Sequence, residues 1–164
     1  MPIALFRIDD RLIHGQVVVG WGQPLGLNYI VLVDDNVAES DWEQELYSMG
    51  VPPGVTVHFV SVATAARDMD RLEQERGAGI LVVSDADSMR RLVSLASGRI
   101  SKVNVGGVHH TTGRTGRLSY VYLTAQEEAA LREIAAAGVE VSAQDVPASK
   151  PVPLKELLAS VLDA

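Results

Sequence analysis

Apolar residues in this chain gather into short runs, and between the runs they recur at helical spacing. Ile3–Phe6 (or Arg7), Tyr29–Val33, Val55–Val60, Ile80–Val83, Val103–Val105, Tyr120–Leu123 and Val139–Val141 read as strands. The run Tyr29–Val33 (YIVLV) shows no alternation, which marks a strand buried on both faces. Helices are predicted from Gly15 to about Gln23, ended by Pro24 and Gly26, from Ser40 to about Met49, and over Ala63–Glu75. Another follows Ser84-Asp85-Ala86-Asp87 and runs through Ala96, and a further one spans Ala125–Ala137. The tail Pro153–Leu162 places Leu154, Leu157, Leu158, Val161 and Leu162 on one helical face, the pattern of a helix docked on the core.

Strands separated by helices of this length predict an α/β fold. The expected architecture is one domain over 1–164, with a mainly parallel, doubly wound sheet of about seven strands and helices on both faces. Val103–Leu123 breaks the alternation: two short strands joined by a Gly- and Thr-rich loop predict a hairpin or an edge feature.

Composition narrows the function. With 47% hydrophobic and 21% charged residues the chain reads as globular, not disordered. Its apolar runs fall short of the roughly 20 residues of a membrane helix. Arg7, Asp9, Asp10 and Arg11 interrupt any apolar signal core, which predicts a cytoplasmic protein. The absence of cysteine excludes disulfides, thiolate metal sites and cysteine nucleophiles. A net charge of -7 argues against nucleic acid as a partner. Against that acidic background Arg7, Arg11, Arg114 and Arg117 fall in two loops that also carry His14, His109 and His110, which can form a local positive patch.

Candidate chemistry concentrates in Phe6–Val17, FRIDDRLIHGQV. His14 stands where a first strand turns into a helix, the place where α/β proteins meet their ligands. Backbone N–H groups at Gly15 and Gln16 and the helix dipole favour an anion there, and Gly15 leaves room for it to approach. Arg11 can reach back and grip phosphate oxygens through its fork of donors. A neutral imidazole, with an ordinary pKa of about 6.5, is a nucleophile near neutral pH, and a carboxylate on its second nitrogen fixes the tautomer. Asp9 or Asp10 can serve in that role, or can hold Arg7 and Arg11. Asp34, Asp35, Asp85 and Asp87 follow strands and read as helix caps, with a supporting role at the site open to Asp34 or Asp85. A flavodoxin-like nucleotide or flavin binder fits the alternation but lacks a Gly-rich phosphate loop after the first strand.

The string RIDDRLIHGQV closely resembles the active-site loop of the IIB components of the mannose/fructose/sorbose class of bacterial sugar phosphotransferase systems (PTS). VLVDD at Val31–Asp35, PPGV at Pro52–Val55, NVGG at Asn104–Gly107 and Gly113-Arg114-Thr115 extend the resemblance over most of the chain. It implies a mainly parallel α/β sheet and the activity of a protein-N(pi)-phosphohistidine–sugar phosphotransferase. On that reading His14 accepts a phosphoryl group from a IIA phosphohistidine and passes it to a hexose held by a membrane IIC/IID permease. Arg11 stabilises the phosphate, Asp10 orients the site, and Gly15 and Gln16 form the phosphate-binding loop. Cofactor and metal are expected to be absent, the protein to associate peripherally with the inner membrane through the permease, and a homo-oligomer is compatible with the resemblance. The alternative is a non-catalytic regulatory module that keeps His14 as a sensor of phosphorylation state. The loop Gly106–Arg117 departs from the family pattern, with His109-His110-Thr111-Thr112 replacing a bulky apolar or aromatic run and Arg114 replacing lysine. It is open to three readings: a metal site, a solvated loop, or a lining of the phosphate or partner surface.

Overall fold

The computed structural model describes residues 3–162; Met1, Pro2, Asp163 and Ala164, which the expected domain span includes, lie outside the described residues. Five strands form the parallel heart of the molecule: β1 (Ile3–Ile8), β2 (Leu27–Val33), β3 (Thr56–Val60), β4 (Ala78–Val83) and β5 (Lys102–Val105). A hairpin follows, β6 (Thr115–Leu118) with β7 (Val121–Leu123), and then β8 (Glu140–Ala143) and β9 (Val152–Pro153). The main sheet has seven strands in the order β3-β2-β4-β1-β5-β8-β9, parallel throughout except that β9 runs antiparallel to β8. The mainly parallel α/β architecture is therefore as expected.

The strand order fixes where helices go. Right-handed crossovers place connections that move one way along a sheet on one face and those that move the other way on the opposite face. The first two connections travel towards β3. They carry a π-helical turn at Gln16–Trp21 continued by α1 (Gly22–Leu25), and then α2 (Asp41–Ser48). The return connections carry α3 (Val62–Arg67), α4 (Met69–Glu73), α5 (Ala86–Leu95) and α6 (Ala125–Ala136), so these cover the other face. The core divides accordingly. A large apolar cluster joins Phe6, Ile8, Leu81, Val83, Met69, Leu92 and Leu131 beneath the second helix layer. A smaller one gathers Leu12, Ile13, Val18, Ile30, Leu32 and Val82 on the first.

The local differences from expectation have physical causes. The helix predicted over Gly15–Gln23 begins as a wide π turn, because three successive valines and Gly20 weaken the regular ladder. Pro24 sits inside α1 instead of ending it, and the left-handed Gly26 (φ 66°) provides the stop. The helix predicted over Ala63–Glu75 breaks at Asp68 (φ -97°, ψ 14°), whose carboxylate is drawn to Arg67 and Arg71. Tyr120–Leu123 does not join the main sheet but pairs with β6, a strand too polar for periodicity to find. At the C-terminus α7 (Leu154–Ala159) buries Leu157, while Val161 and Leu162 lie beyond its end and stay exposed.

Beside β1 the winding reverses. The connection after β1 leaves towards one face and the connection after β5, its neighbour, towards the other. Such a switch point opens a crevice outside the carboxyl ends of the two strands, where open α/β sheets hold their ligands.

Candidate functional site

The crevice between β1 and β5 is lined by the loops Asp9–Gly15 and Gly106–Arg114. The first is a tight turn: the Leu12 backbone N–H donates to the Asp9 carbonyl at 3.0 Å, and Leu12 adopts a left-handed backbone (φ 58°). That conformation costs a non-glycine residue about 1–2 kcal/mol. Burial of the Leu12 and Ile13 side chains in the smaller apolar cluster holds the strained turn in place and leaves His14 at its crest.

Beneath the turn Arg7 and Asp9 are fully buried, with side-chain exposures of 0% and 0%. They lie two residues apart on an extended segment and so share a face. The Arg7 guanidinium donates to Asp9 Oδ2 from Nε (3.3 Å) and Nη2 (3.1 Å). It also donates to Asn104 Oδ1 (2.5 Å) and to the carbonyls of Gln144 (3.0 Å) and Asp145 (3.1 Å). Its plane lies 5.5 Å from the ring of Trp21, whose Nε1–H reaches the same Asp145 carbonyl at 2.8 Å. Gly106 makes this possible, since a Cβ there would stand 2.2 Å from Arg7 Cζ.

Asp9 in turn faces the histidine. His14 Nε2 lies 3.0 Å from Asp9 Oδ2, off the line of a well-formed hydrogen bond and with no other partner. The other ring nitrogen, Nδ1, faces the Gln16 backbone N–H at 3.3 Å. Asp9 Oδ1 accepts from the Arg11 backbone N–H at 3.1 Å. Burial alone would push the Asp9 carboxyl up, but His14, Arg7 and the Arg11 N–H together hold it below the ordinary carboxylate range. Burial also pulls the Arg7 guanidinium down, against the opposing pull of Asp9.

That balance sets a pH dependence. A carboxyl with a depressed folded-state pKa stabilises the fold fully above its unfolded value, about 3.9, and loses the contribution as pH falls through the lower folded value. Thermal melts between pH 5 and pH 2 should therefore show wild type losing stability more steeply than Asp9→Asn. Parallel slopes for the two proteins would contradict this account of Asp9.

Arg11 projects to the surface (43% exposed) and donates from Nη2 to Gln16 Oε1 at 2.9 Å. The loop residues Arg11, His14, Gly15 and Gln16 are thus brought together. Where a Cβ on Gly15 would stand, nothing lies within 4 Å, so the approach to His14 is open on that side. Asp10 is not where the sequence reading put it. It turns away from His14 to His109, Oδ1 to Nδ1 2.7 Å, and accepts the His109 backbone N–H at 2.7 Å on Oδ2. Adjacent residues point to opposite sides, so only one of Asp9 and Asp10 can reach the first imidazole, and the turn gives it to Asp9. Asp34 and Asp85 act as caps, Asp34 on the N–H groups of Asn36 and Val37 and Asp85 on that of Ser88.

Sequence reasoning offered Arg7 as a loop cation that Asp9 or Asp10 could hold, as Asp9 does, but missed its burial beneath the site and the role of Asn104. The available signal was an arginine inside an apolar strand two residues before an aspartate, an ion pair on one face. Among the described residues no group of three or more His, Cys, Asp or Glu side chains is placed to hold a metal ion.

Fold and site together define an α/β protein that presents one histidine, backed by a buried carboxylate and flanked by an arginine, at the switch point of its sheet. The model of the PTS system sorbose subfamily IIB component matches residues 3–162, and the chain belongs to that family of sugar phosphotransferase components. It is 33% identical over 161 residues to the N-acetylgalactosamine-specific phosphotransferase enzyme IIB component 2 of Escherichia coli K12, covering 96% of this chain and 100% of that one. It is 31% identical to the mannose-specific EIIAB component of the same organism, covering 98% of this chain and 50% of the relative. The chain thus spans about half the length of the mannose-specific relatives it matches. Among solved structures, the IIBSor domain of the sorbose permease from Klebsiella pneumoniae superposes with a TM-score of 0.87 at 26% identity, over 99% of this chain and 100% of that one.

Proposed function

We propose that this chain is a single-domain phosphocarrier: His14 accepts a phosphoryl group from the phosphohistidine of a IIA partner and passes it to a hexose bound by a membrane IIC/IID permease. The observation that carries this reading is the unlike setting of the two His14 nitrogens. With Asp9 against Nε2, the tautomer protonated at Nε2 is favoured, which leaves the Nδ1 lone pair on the side of Gln16 and Arg11. In the transfer, Nδ1 attacks phosphorus and the new N–P bond forms as the donor's N–P bond breaks. The donor nitrogen recovers its electron pair, while the Nε2 proton stays beside Asp9. Arg11 is placed to take phosphoryl oxygens with its guanidinium, and the N–H groups of Gly15 and Gln16 are placed to assist. Positioning and preplaced charge carry most of the catalysis in phosphoryl transfer, which suits a site with no metal ligand set among its described residues.

The family supplies the context of partners, and the name of the mannose-specific EIIAB relative supports a IIA link. Among the described residues no helix is long and apolar enough to cross a membrane. On the family context, access to sugar at the membrane is assigned to the permease, with this chain binding it peripherally.

Intact-mass spectrometry after incubation with phosphoenolpyruvate, the general phosphotransferase proteins and a IIA of this class tests the proposal. Wild type should gain one phosphate, labile in acid and stable in base, and His14→Ala none while keeping its circular dichroism spectrum. Phosphate retained by the variant would move the site elsewhere. No gain on wild type with an active IIA would favour a module that has kept the loop and lost the relay.

A further inference from the structure

The loop after β5 brings a second imidazole to the crevice, and it is held much as the first is. Asp10 grips His109 at Nδ1 and at its backbone N–H, both at 2.7 Å, and the ring is half exposed (52%). Its Cε1 edge leans over Gly107. The point where a Cβ on Gly107 would stand is 3.1 Å from His109 Cε1, 3.3 Å from Arg11 Nη2 and 3.5 Å from Asp9 Oδ1. Glycine therefore leaves a narrow niche, too tight for a Cβ, with His109 on one edge, Arg11 on the other and Asp9 Oδ1 at its floor. Arg11 in turn binds Gln16, whose backbone N–H faces His14 Nδ1. His109 Nε2, next to Cε1 in the ring, has no hydrogen-bond partner among the described residues.

Charge gives this second imidazole a task. Arg7 is matched by Asp9, Arg114 by Glu127 (2.9 Å), and Arg11 and Asp10 complete three cations against three carboxylates. A phosphoryl group on His14 brings about two further negative charges at neutral pH. In this set only Arg11, exposed and 3.7 Å from Asp9, stands ready to meet them, and no second fixed cation is left over. His109 is the group beside the niche that can acquire one. While Asp10 takes the Nδ1 proton, neutral His109 shows a bare lone pair at Nε2, which repels an anion; only the imidazolium offers an N–H there.

We infer that His109 is a second ligand of the phosphoryl group carried by His14: it takes a proton from solvent when the group arrives and donates from Nε2 to a phosphoryl oxygen, with Asp10 as the positioning residue. The inference rests on His14 being the phosphoryl carrier. The charged groups facing His109 are Asp10 and Arg11 from the first loop and Arg114 from its own. Arg114 donates to the His109 carbonyl at 2.7 Å, stands 3.8 Å from Asp10 and is neutralised by Glu127 at the start of α6. His110 turns away and packs edge-on against Tyr122.

The sign of the pH effect follows. If His109 gives its Nε2–H to the phosphoryl group, transfer towards this protein gains up to about tenfold at low pH, the worth of one charge-assisted hydrogen bond, and nothing at high pH. The test is histidine-ring NMR of the full chain, titrated with and without phosphate loaded by the phosphoenolpyruvate relay. The His109 ring should hold its second proton to higher pH once His14 carries the phosphate. Measured as an equilibrium with the phosphorylated IIA donor, His109→Gln should abolish the pH-dependent gain and Asp10→Asn should shrink it. Phosphate on His14 with an unmoved His109 midpoint overturns this inference and leaves the carrier intact. Absence of phosphate on His14 overturns both.

Discussion

Asp9→Asn is expected to slow phosphoryl acceptance by His14 about 10²- to 10⁴-fold, the scale seen when a carboxylate that fixes a catalytic imidazole is made neutral. The carboxylate lies 3.0 Å from Nε2 and can only accept, so it selects the tautomer that leaves Nδ1 unprotonated, its lone pair facing the Gln16 N–H. An asparagine in its place can present its N–H₂ to Nε2, which would move the ring proton to Nδ1 and block the attacking nitrogen. It also removes the negative charge that stabilises the ring as it becomes imidazolium-like on phosphorylation. Rapid-quench measurement of one turnover from a phosphorylated IIA reads the effect. A rate within a few-fold of wild type would show that Asp9 serves Arg7 and the fold, not the nucleophile.

Arg7→Met should cost about 3–5 kcal/mol of stability, because it strands the buried Asp9 carboxylate. Asn104 Oδ1 would lose its donor in the same step, the Gln144 and Asp145 carbonyls would each lose one of two, and the face of Trp21 would lose its cation. Denaturant titration gives the number, and the double variant with Asp9→Asn separates charge from packing. If the buried charge is the main cost, adding Asp9→Asn should recover a substantial part of the loss, as expected for two residues in direct contact. Strict additivity of the two losses would show that the ion pair is not what Arg7 contributes.

These two residues also mark the limit of what the sequence disclosed. The nucleophile was legible because its chemistry is contiguous: Arg11, His14, Gly15 and Gln16 lie within one turn and are brought together by it. The division of labour between Asp9 and Asp10 was not, since adjacent carboxylates differ only in direction. That direction is decided by Leu12 and Ile13 plugging into the core and by Gly107 and His109 arriving from the far strand. Arg7 looked like one more loop cation, and its burial depends on acceptors at Asn104, Gln144 and Asp145 that no local pattern connects to it. The strands of the main sheet were legible where both faces are buried, as in Tyr29–Val33. The short edge strand Val152–Pro153 was lost, as was the polar hairpin strand Thr115–Leu118 outside that sheet. The helix after His14 was legible in place but not in pitch, because a run of valines with nearby glycines strains the ladder without ending it.

The measurement that bears most directly on the carrier is phosphorus–nitrogen coupling in the NMR spectrum of the phosphorylated protein labelled with ¹⁵N-histidine. With Asp9 against Nε2 and only the long Gln16 N–H contact (3.3 Å) to give way at Nδ1, the phosphate should be bonded to Nδ1 of His14. A phosphate on Nε2, or on any other residue, would contradict the arrangement of the site described above.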